Sequence, residues 1–291
     1  MSVPILNASG CLDALVAPDV AKTLDAFVTK TVTPLPREGN APPRIAETDG
    51  WMLNSIGLQN PGIERFCGEV APRLQDLEVP LWVSVGGFSA SDYQVCCERV
   101  DQLDGVRVIE LNLSCPNVDE APETIAELVQ ASRRATAKPL YAKLSPASSD
   151  IGELARAVAD AGADGLSLVN TLRGLVLDPA SLRPRLALGP GGASGPALHP
   201  IALACVYACA NAVELPIVGM GGVMSGRDAL DLVAVGASAI SLGTVLFGDP
   251  FAAGRVRDEL EREAGSRGYG SAAEIGRVAR GSALKSSVSS K

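Results

Sequence analysis

Short apolar runs of four to six residues alternate with helical stretches along most of the chain. This alternation restricts the fold more than any other feature of the sequence. The strand candidates are Ala26–Lys30, Leu53–Gly57, Leu81–Val85, Val106–Leu113, Leu140–Leu144, Gly165–Val169, Ile217–Met220 and Ala239–Leu242. Helical patterns fall between them at Ile63–Leu74, Ala90–Leu103, Pro122–Ala135, Ile151–Ala161, Pro200–Ala212 and Gly226–Val235. Eight strands separated by helices predict a single-domain (β/α)8 TIM barrel, and 291 residues suit one. The barrel is expected over residues 1–281, followed by a Ser-rich, disordered tail over 282–291. A doubly wound open sheet is the structural alternative, but no G-x-G-x-x-G opens a helix in the required place. Leu53–Gly57 is the shortest signal among the strands.

Polar residues recur in one phase of this pattern. Lys30 ends the first expected strand, Asn54 lies in the second, and Asn112 and Cys115 close the fourth. Lys143 closes the fifth and Asn170 follows the sixth. Gly221-Gly222 follows the seventh and Gly243-Thr244 the eighth. A barrel brings all strand carboxyl ends to one mouth, where enzymes of this fold place their sites. Two lysines inside apolar runs need partners if buried. A ligand rich in carbonyl, ring-nitrogen and carboxylate groups supplies them.

Within this pattern the octapeptide ELNLSCPN, Glu110 to Asn117, fixes one thiol on a short loop flanked by side-chain amides. Pro116 stops regular structure there. A thiol serves as nucleophile, metal ligand or proton acceptor. Amides that donate and accept suit a ligand with its own N–H and C=O groups. A packed structural Cys beside turn-forming asparagines is the competing account. The segments VGMGGVMSGRDAL and ISLGTVLFGDP each read as strand, Gly turn and helix. Glycine admits close approach of backbone N–H groups to an anion, and helix N-termini favour negative charge, so both turns are expected to hold phosphate. A third Gly-rich stretch, Gly189 to Pro196, lies in a longer insert after the sixth strand.

Composition excludes several classes. A net charge of −8 argues against a nucleic-acid footprint. No apolar run approaches the roughly 20 residues of a membrane span, and the N-terminus lacks signal-peptide character, so a cytoplasmic protein is expected. The seven cysteines form no C-x-x-C pair and His199 is the sole histidine, so no metal site is expected. Cys205 and Cys209 share a helix face and read as small packing residues. Thr33–Pro43 is a Pro-rich rim loop, and Arg255–Glu263 a solvated helix face.

Seven segments in order resemble the class 1 dihydroorotate dehydrogenases. They are TKT at Thr29, MLNSIGLQNPG at Met52, ELNLSCPN at Glu110, AKLSP at Ala142, LVNTLRG at Leu168, GGASGPALHP at Gly191 and GMGGV at Gly219. The similarity runs from ASG at Ala8 to GDP at Gly248 and is strongest to the NAD-linked class 1B branch. The quinone-linked class uses Ser as base and a membrane-associated extension, whereas this sequence has Cys115 and lacks the extension. The resemblance implies an FMN contacted by Ser9, Lys30, Thr31, Asn112, Lys143, Val169, Gly195, Gly221, Gly222, Gly243 and Thr244. It implies substrate contacts from Lys30, Asn54, Ser55, Ile56, Gly57, Leu58, Asn112, Asn117, Asn170 and Thr171, with Cys115 as catalytic base. It further implies oxidation of dihydroorotate to orotate for pyrimidine biosynthesis. The implied assembly is a homodimer joined to an FAD and 2Fe–2S electron-transfer subunit, a heterotetramer passing electrons to NAD.

Two departures stand out. The family's Gly-rich stretch after the SCPN motif is replaced by VDEAPET, and Ser84 stands where relatives often have Asn near the flavin. The chemistry agrees with the resemblance: removing a hydride and a proton from neighbouring ring carbons needs a flavin on one face and a base on the other. A dihydropyrimidine dehydrogenase-type FMN barrel is the nearest alternative, and a catalytically silent assembly barrel the alternative from another class.

Overall fold

The computed structural model describes residues 2–113, 122–276 and 278. Its centre is an eight-stranded parallel barrel. The barrel strands are β1 (Ile5–Asn7), β2 (Phe27–Val28), β5 (Leu81–Val85), β6 (Val106–Asn112), β7 (Leu140–Leu144), β8 (Gly165–Leu168), β11 (Ile217–Met220) and β12 (Ala239–Leu242). A second, antiparallel sheet comprises β3 (Ile45–Thr48), β4 (Trp51–Asn54), β9 (Leu172–Gly174) and β10 (Gly191–Ser194). The barrel order is β1-β12-β11-β8-β7-β6-β5-β2, and a parallel bridge from Leu6 to Ala26 closes the ring. Asn7 reinforces the closure: its side chain bonds both the N–H and the C=O of Val28 at 2.8 Å.

The fold class is the expected one, but the strand count starts one element earlier. The first barrel strand is Ile5–Asn7, and Ala26–Lys30 supplies the second. Leu53–Gly57 is not a barrel strand. Its first residues belong to β4, which pairs with β3 and with the glycine strand β10 in the sheet outside the barrel. Three residues are too few to show a period in the sequence, yet all of Ile5, Leu6 and Asn7 are buried. The long insert after β8 supplies β9 and β10, so it is a structural element of the second sheet.

Alternation along the strands sorts the side chains into two cores. One set faces the helices: Val83 and Val85, Ile109 and Leu111, Leu140 and Leu144, Leu166 and Leu168, Ile240 and Leu242 all belong to the large apolar cluster. The residues between them face the barrel interior, namely Ser84, Glu110, Lys143, Ser167 and Ser241. A small apolar plug of Leu6, Ala26 and Val28 with Trp82 and Ala239 fills the other end of the interior. The Trp82 and Tyr141 rings meet there at 4.8 Å. The barrel is thus apolar at its base and polar toward the carboxyl ends of its strands.

Helix starts follow local chemistry. Ser89, Asp150 and Ser225 each accept a backbone N–H from the first turn of the helix they precede. The helix expected over Ile63–Leu74 contains a π-turn at Phe66–Val70. Pro72 has no N–H to return to the carbonyl four residues back, and the wider turn accommodates that loss. The charged stretch near the C-terminus lies in helix Ala252–Ser266, which buries Val256, Leu260 and Ala264 on its other side. Cys205 and Cys209 are buried in helix His199–Ala212, as packing residues. No helix among the described residues is long and apolar enough to cross a membrane. The tail over 282–291 lies outside the described residues.

Candidate active site

A cavity of about 360 Å³ opens where the carboxyl ends of the barrel strands meet the second sheet. Of the residues implied to hold FMN, Ser9, Lys30, Thr31, Asn112, Lys143 and Val169 line it. Gly195, Gly221, Gly222, Gly243 and Thr244 line it too. Asn54, Ile56, Leu58, Asn170 and Thr171 from the implied substrate set join them. Ser55 and Gly57 do not. Both sit on the alternate phase of their segment and tie it to the Pro-rich loop. Ser55 Oγ accepts from Asn40 Nδ2 at 2.9 Å, and the Gly57 carbonyl accepts from Arg37 Nε at 3.2 Å. Cys115 and Asn117 lie outside the described residues.

The side-chain amides are linked. Asn170 donates from Nδ2 to Asn112 Oδ1 at 3.0 Å, and Asn112 donates from Nδ2 to Thr31 Oγ1 at 3.0 Å. Thr31 continues to Ser84 Oγ at 3.0 Å, and the Thr171 N–H donates to Asn170 Oδ1 at 2.8 Å. The network crosses from β2 to β8 and fixes the direction of each amide, which is what recognition of a ring with its own donors and acceptors requires. Ser84 serves this network from inside the barrel without lining the cavity.

Two lysines mark the site, in different states. Lys143 is buried and donates from Nζ to Ser9 Oγ at 2.9 Å. Lys30 is exposed in the open mouth, where it lines the cavity. The cavity walls still strip water from it, and this desolvation holds its ammonium below the ordinary lysine range. Cys11 pulls in the other direction and Arg44 adds to the lowering. Cys11 itself lines the cavity, and burial pushes its thiol up against the opposing pull of Lys143 and Lys30.

The glycine turn after β11 suits an anion, though not through the helix end expected. The helix Gly226–Ala234 begins four residues beyond Gly222, and the N–H groups of Gly226 and Asp228 at its start are already taken. Ser225 and Asp228 form a capping box, and Glu259 accepts the Gly226 N–H at 2.8 Å. Two carboxylates there repel a phosphate. What remains is the turn itself. Gly222 has φ +71°, and a Cβ on it would lie 2.8 Å from the Pro196 carbonyl oxygen and 2.9 Å from that of Gly195. This tight cradle brings the turn of β11 against the Gly-rich loop. His199 Nδ1 lies 3.0 Å from the Gly221 carbonyl and steadies it. Gly222→Ala is therefore expected to cost on the order of 1–3 kcal/mol of stability and to weaken binding of a phosphorylated ligand. Thermal melts and FMN titration of the variant check both.

The likeness to known proteins agrees with this geometry. The sequence model of the family described as dihydroorotate dehydrogenase matches residues 1–263. The chain belongs to the dihydroorotate dehydrogenase family. A relative in Halalkalibacterium halodurans, named dihydroorotate dehydrogenase B (NAD(+)), catalytic subunit, is 42% identical over 287 residues, covering 94% of this chain and 93% of its own. A protein of the same name in Geobacter sulfurreducens is 44% identical over 261 residues, covering 87% and 86%. The crystal structure of DHODH in complex with ferulenol from Eimeria tenella shares the fold, with a TM-score of 0.77. At 23% identity it covers 94% of this chain and 84% of that one.

For a dihydroorotate dehydrogenase the cavity holds what FMN requires. Apolar side chains of Val169, Leu198 and Met220 offer walls for a flat ring, Lys143 supplies a cation, and the Gly221-Gly222 turn supplies a cradle. Cys11, Met52, Ser194 and Phe247 also line it and were missed in the sequence. Ser194 and Phe247 sit inside segments the Gly-rich motifs flagged. Met52 opens the MLNSIGLQNPG segment, whereas Cys11 carried no signal, since it reaches the mouth only through tertiary packing.

Proposed function

We propose that this protein is the catalytic subunit of an NAD-linked dihydroorotate dehydrogenase, oxidising dihydroorotate to orotate with FMN in de novo pyrimidine biosynthesis. The observation that carries this reading is the convergence of Lys143, the Asn112–Asn170 amide pair and the Gly221-Gly222 cradle on one cavity. FMN, when bound, supplies the hydride acceptor. The protein supplies the rest. Asn112 and Asn170, with Asn54 across the mouth, pair with the amides of the pyrimidine ring and reject analogues lacking them. Lys30 at the rim meets the substrate carboxylate. Cys115 takes the proton from the ring carbon next to the one that loses hydride. Asn117 and Thr171 complete the substrate contacts.

The test is an absorption spectrum recorded before and after anaerobic addition of dihydroorotate. The purified protein is expected to show flavin bands that bleach on addition. A colourless protein, or bleaching by dihydrouracil in place of dihydroorotate, overturns the reading.

Electron exit is the second part of the proposal. The sequence offers no C-x-x-C pair, and the relatives above are named as catalytic subunits of an NAD(+) enzyme. We assign this chain a cytoplasmic homodimer joined to an FAD and 2Fe–2S subunit. The lone chain is then expected to reduce NAD poorly, and efficient NAD reduction without a partner refutes the assignment.

Lys30 adds a pH dependence. A carboxylate beside it favours the charged ammonium, so its pKa is higher in the complex than in the free site. Orotate affinity is therefore complete below the free-state pKa and lost as pH rises through that of the complex. Because desolvation lowers the free-state value, the decline starts on the acid side of the ordinary lysine value of about 10.4. Orotate titrations across pH check this, with Lys30→Met expected to flatten the profile.

A further inference from the structure

Glu110 lies in the barrel interior, where such barrels ordinarily place branched apolar side chains. It is 1% exposed. It stands two residues before Asn112 on β6 and shares that residue's inward phase, yet it does not line the cavity. Its register neighbours are Ser84 on β5 and Tyr141 on β7. The nearest cation is the ammonium of Lys143, 3.6 Å from Oε1, and Oε1 has no hydrogen-bond partner among the described residues. Ser167, the register neighbour of Lys143 on β8, likewise keeps a buried hydroxyl without a partner among the described residues.

Lys143 therefore has two faces. Toward the cavity it bonds Ser9. Behind, it faces a carboxylate that no ligand in the cavity touches. A buried carboxylate in a position that a Leu or Val would fill adds nothing to the apolar core, and buried ion pairs are weak contributors to stability compared with hydrophobic replacements of the same volume. The arrangement does have an electrostatic consequence. In a dry interior, a negative charge behind the ammonium offsets part of the field that Lys143 presents to whatever lies in front of it.

We propose that Glu110 is a positioning residue that tunes the positive charge of Lys143 at the cavity floor and so sets how strongly the bound flavin favours its reduced form. This rests on the reading of the cavity as an FMN site. Reduction adds negative charge to the flavin, so a fuller positive charge on Lys143 stabilises the reduced state. Removing the carboxylate must raise the midpoint potential.

The experiment is the two-electron midpoint potential of bound FMN, measured by equilibration with redox dyes, in the parent protein, Glu110→Gln, and Lys143→Met with and without Glu110→Gln. Glu110→Gln is expected to favour reduced flavin about tenfold, which for a two-electron couple is roughly 30 mV. In the Lys143→Met background the Gln change is expected to have a smaller effect, because without the ammonium beside it the buried carboxylate is less favoured in its charged form. A structural role alone would lower the melting temperature of Glu110→Gln and leave the potential where it was. That result, or a shift to lower potential, overturns the proposal. Glu110→Asp keeps the charge but withdraws it by one methylene. It gives the same comparison should the Gln protein not fold, with a smaller shift in the same direction expected. Failure of both variants to fold also overturns the proposal, since it makes Glu110 a requirement of the barrel. Absence of FMN from the parent protein defeats the cofactor reading itself and is thereby distinguished from an unchanged potential in a flavin-loaded variant.

Discussion

Cys115→Ser is expected to leave FMN and orotate bound while slowing reduction of the flavin by dihydroorotate about 10²–10⁴-fold, the usual worth of a positioned general base. Apart from Asn112 on β6, most of the proposed flavin contacts come from other strands: Lys143 from β7, Val169 after β8, and the turns after β11 and β12. Replacing one thiol leaves them in place. A thiol must be deprotonated to accept the substrate proton, and an unperturbed one titrates near 8.5. The reduction rate in the parent protein should then rise with pH through the thiol pKa and level off above it. The Ser protein should lack that step, since its hydroxyl stays protonated across the range. If Cys115 were only a packed structural residue, the Ser variant would lose stability, keep its reduction rate and show an unchanged pH profile. Stopped-flow reduction of both proteins across pH separates the two outcomes. A near-parental rate in well-folded Cys115→Ser ends the assignment.

Lys143→Ala is expected to produce the largest loss of stability. Its side chain is 6% exposed and its Glu110 partner 2% exposed. Removing the ammonium leaves the carboxylate buried without a counter-charge, and breaking a buried pair in this way costs about 3–5 kcal/mol. The Ser9 hydroxyl loses its donor at the same time. Urea unfolding of the flavin-free protein measures the loss without any contribution from the cofactor. Adding Glu110→Gln to Lys143→Ala should restore part of it, since no charge then remains buried. The single variant should also hold FMN less tightly, which fluorescence titration reads. If Lys143→Ala unfolds at the parental urea concentration and loads FMN fully, Lys143 is an ordinary lysine lying along apolar surface with its head in water.

These two residues also show what can be read from a chain and what cannot. The barrel itself was legible, because strand–helix alternation is a local consequence of hydrophobic period, and seven of the eight barrel strands coincide with apolar runs in the sequence. The eighth was not. Ile5–Asn7 spans three residues, too short for any period, and becomes a strand only because β12 on one side and Ala26 on the other need a partner to close the ring. Leu53–Gly57 failed for the converse reason. Its apolar content resembled a barrel strand, but its hydrogen bonds go to β3 and to the insert strand β10, partners far away in sequence.

The site follows the same division. Lys143, Asn112, Asn170 and the glycine pairs were visible because a polar or glycine residue at the carboxyl end of an apolar run has one expected location in a barrel, the mouth. The chain by itself determined which side chains arrive there. Tertiary structure alone decided what each does on arrival. Lys30 and Lys143 look alike in sequence, yet one stands in the open mouth and the other is sealed between Ser9 and Glu110. The glycine turn after β11 looked like a helix N-terminus waiting for an anion, until Ser225, Asp228 and Glu259 proved to occupy those N–H groups. Glu110, one residue among the apolar runs of β6, acquires meaning only when β6 and β7 pair and bring its carboxylate behind Lys143. Charge, burial and hydrogen-bond partners are properties of neighbours in space. A linear period fixes a residue's phase on its own element but not the identity of the group across from it.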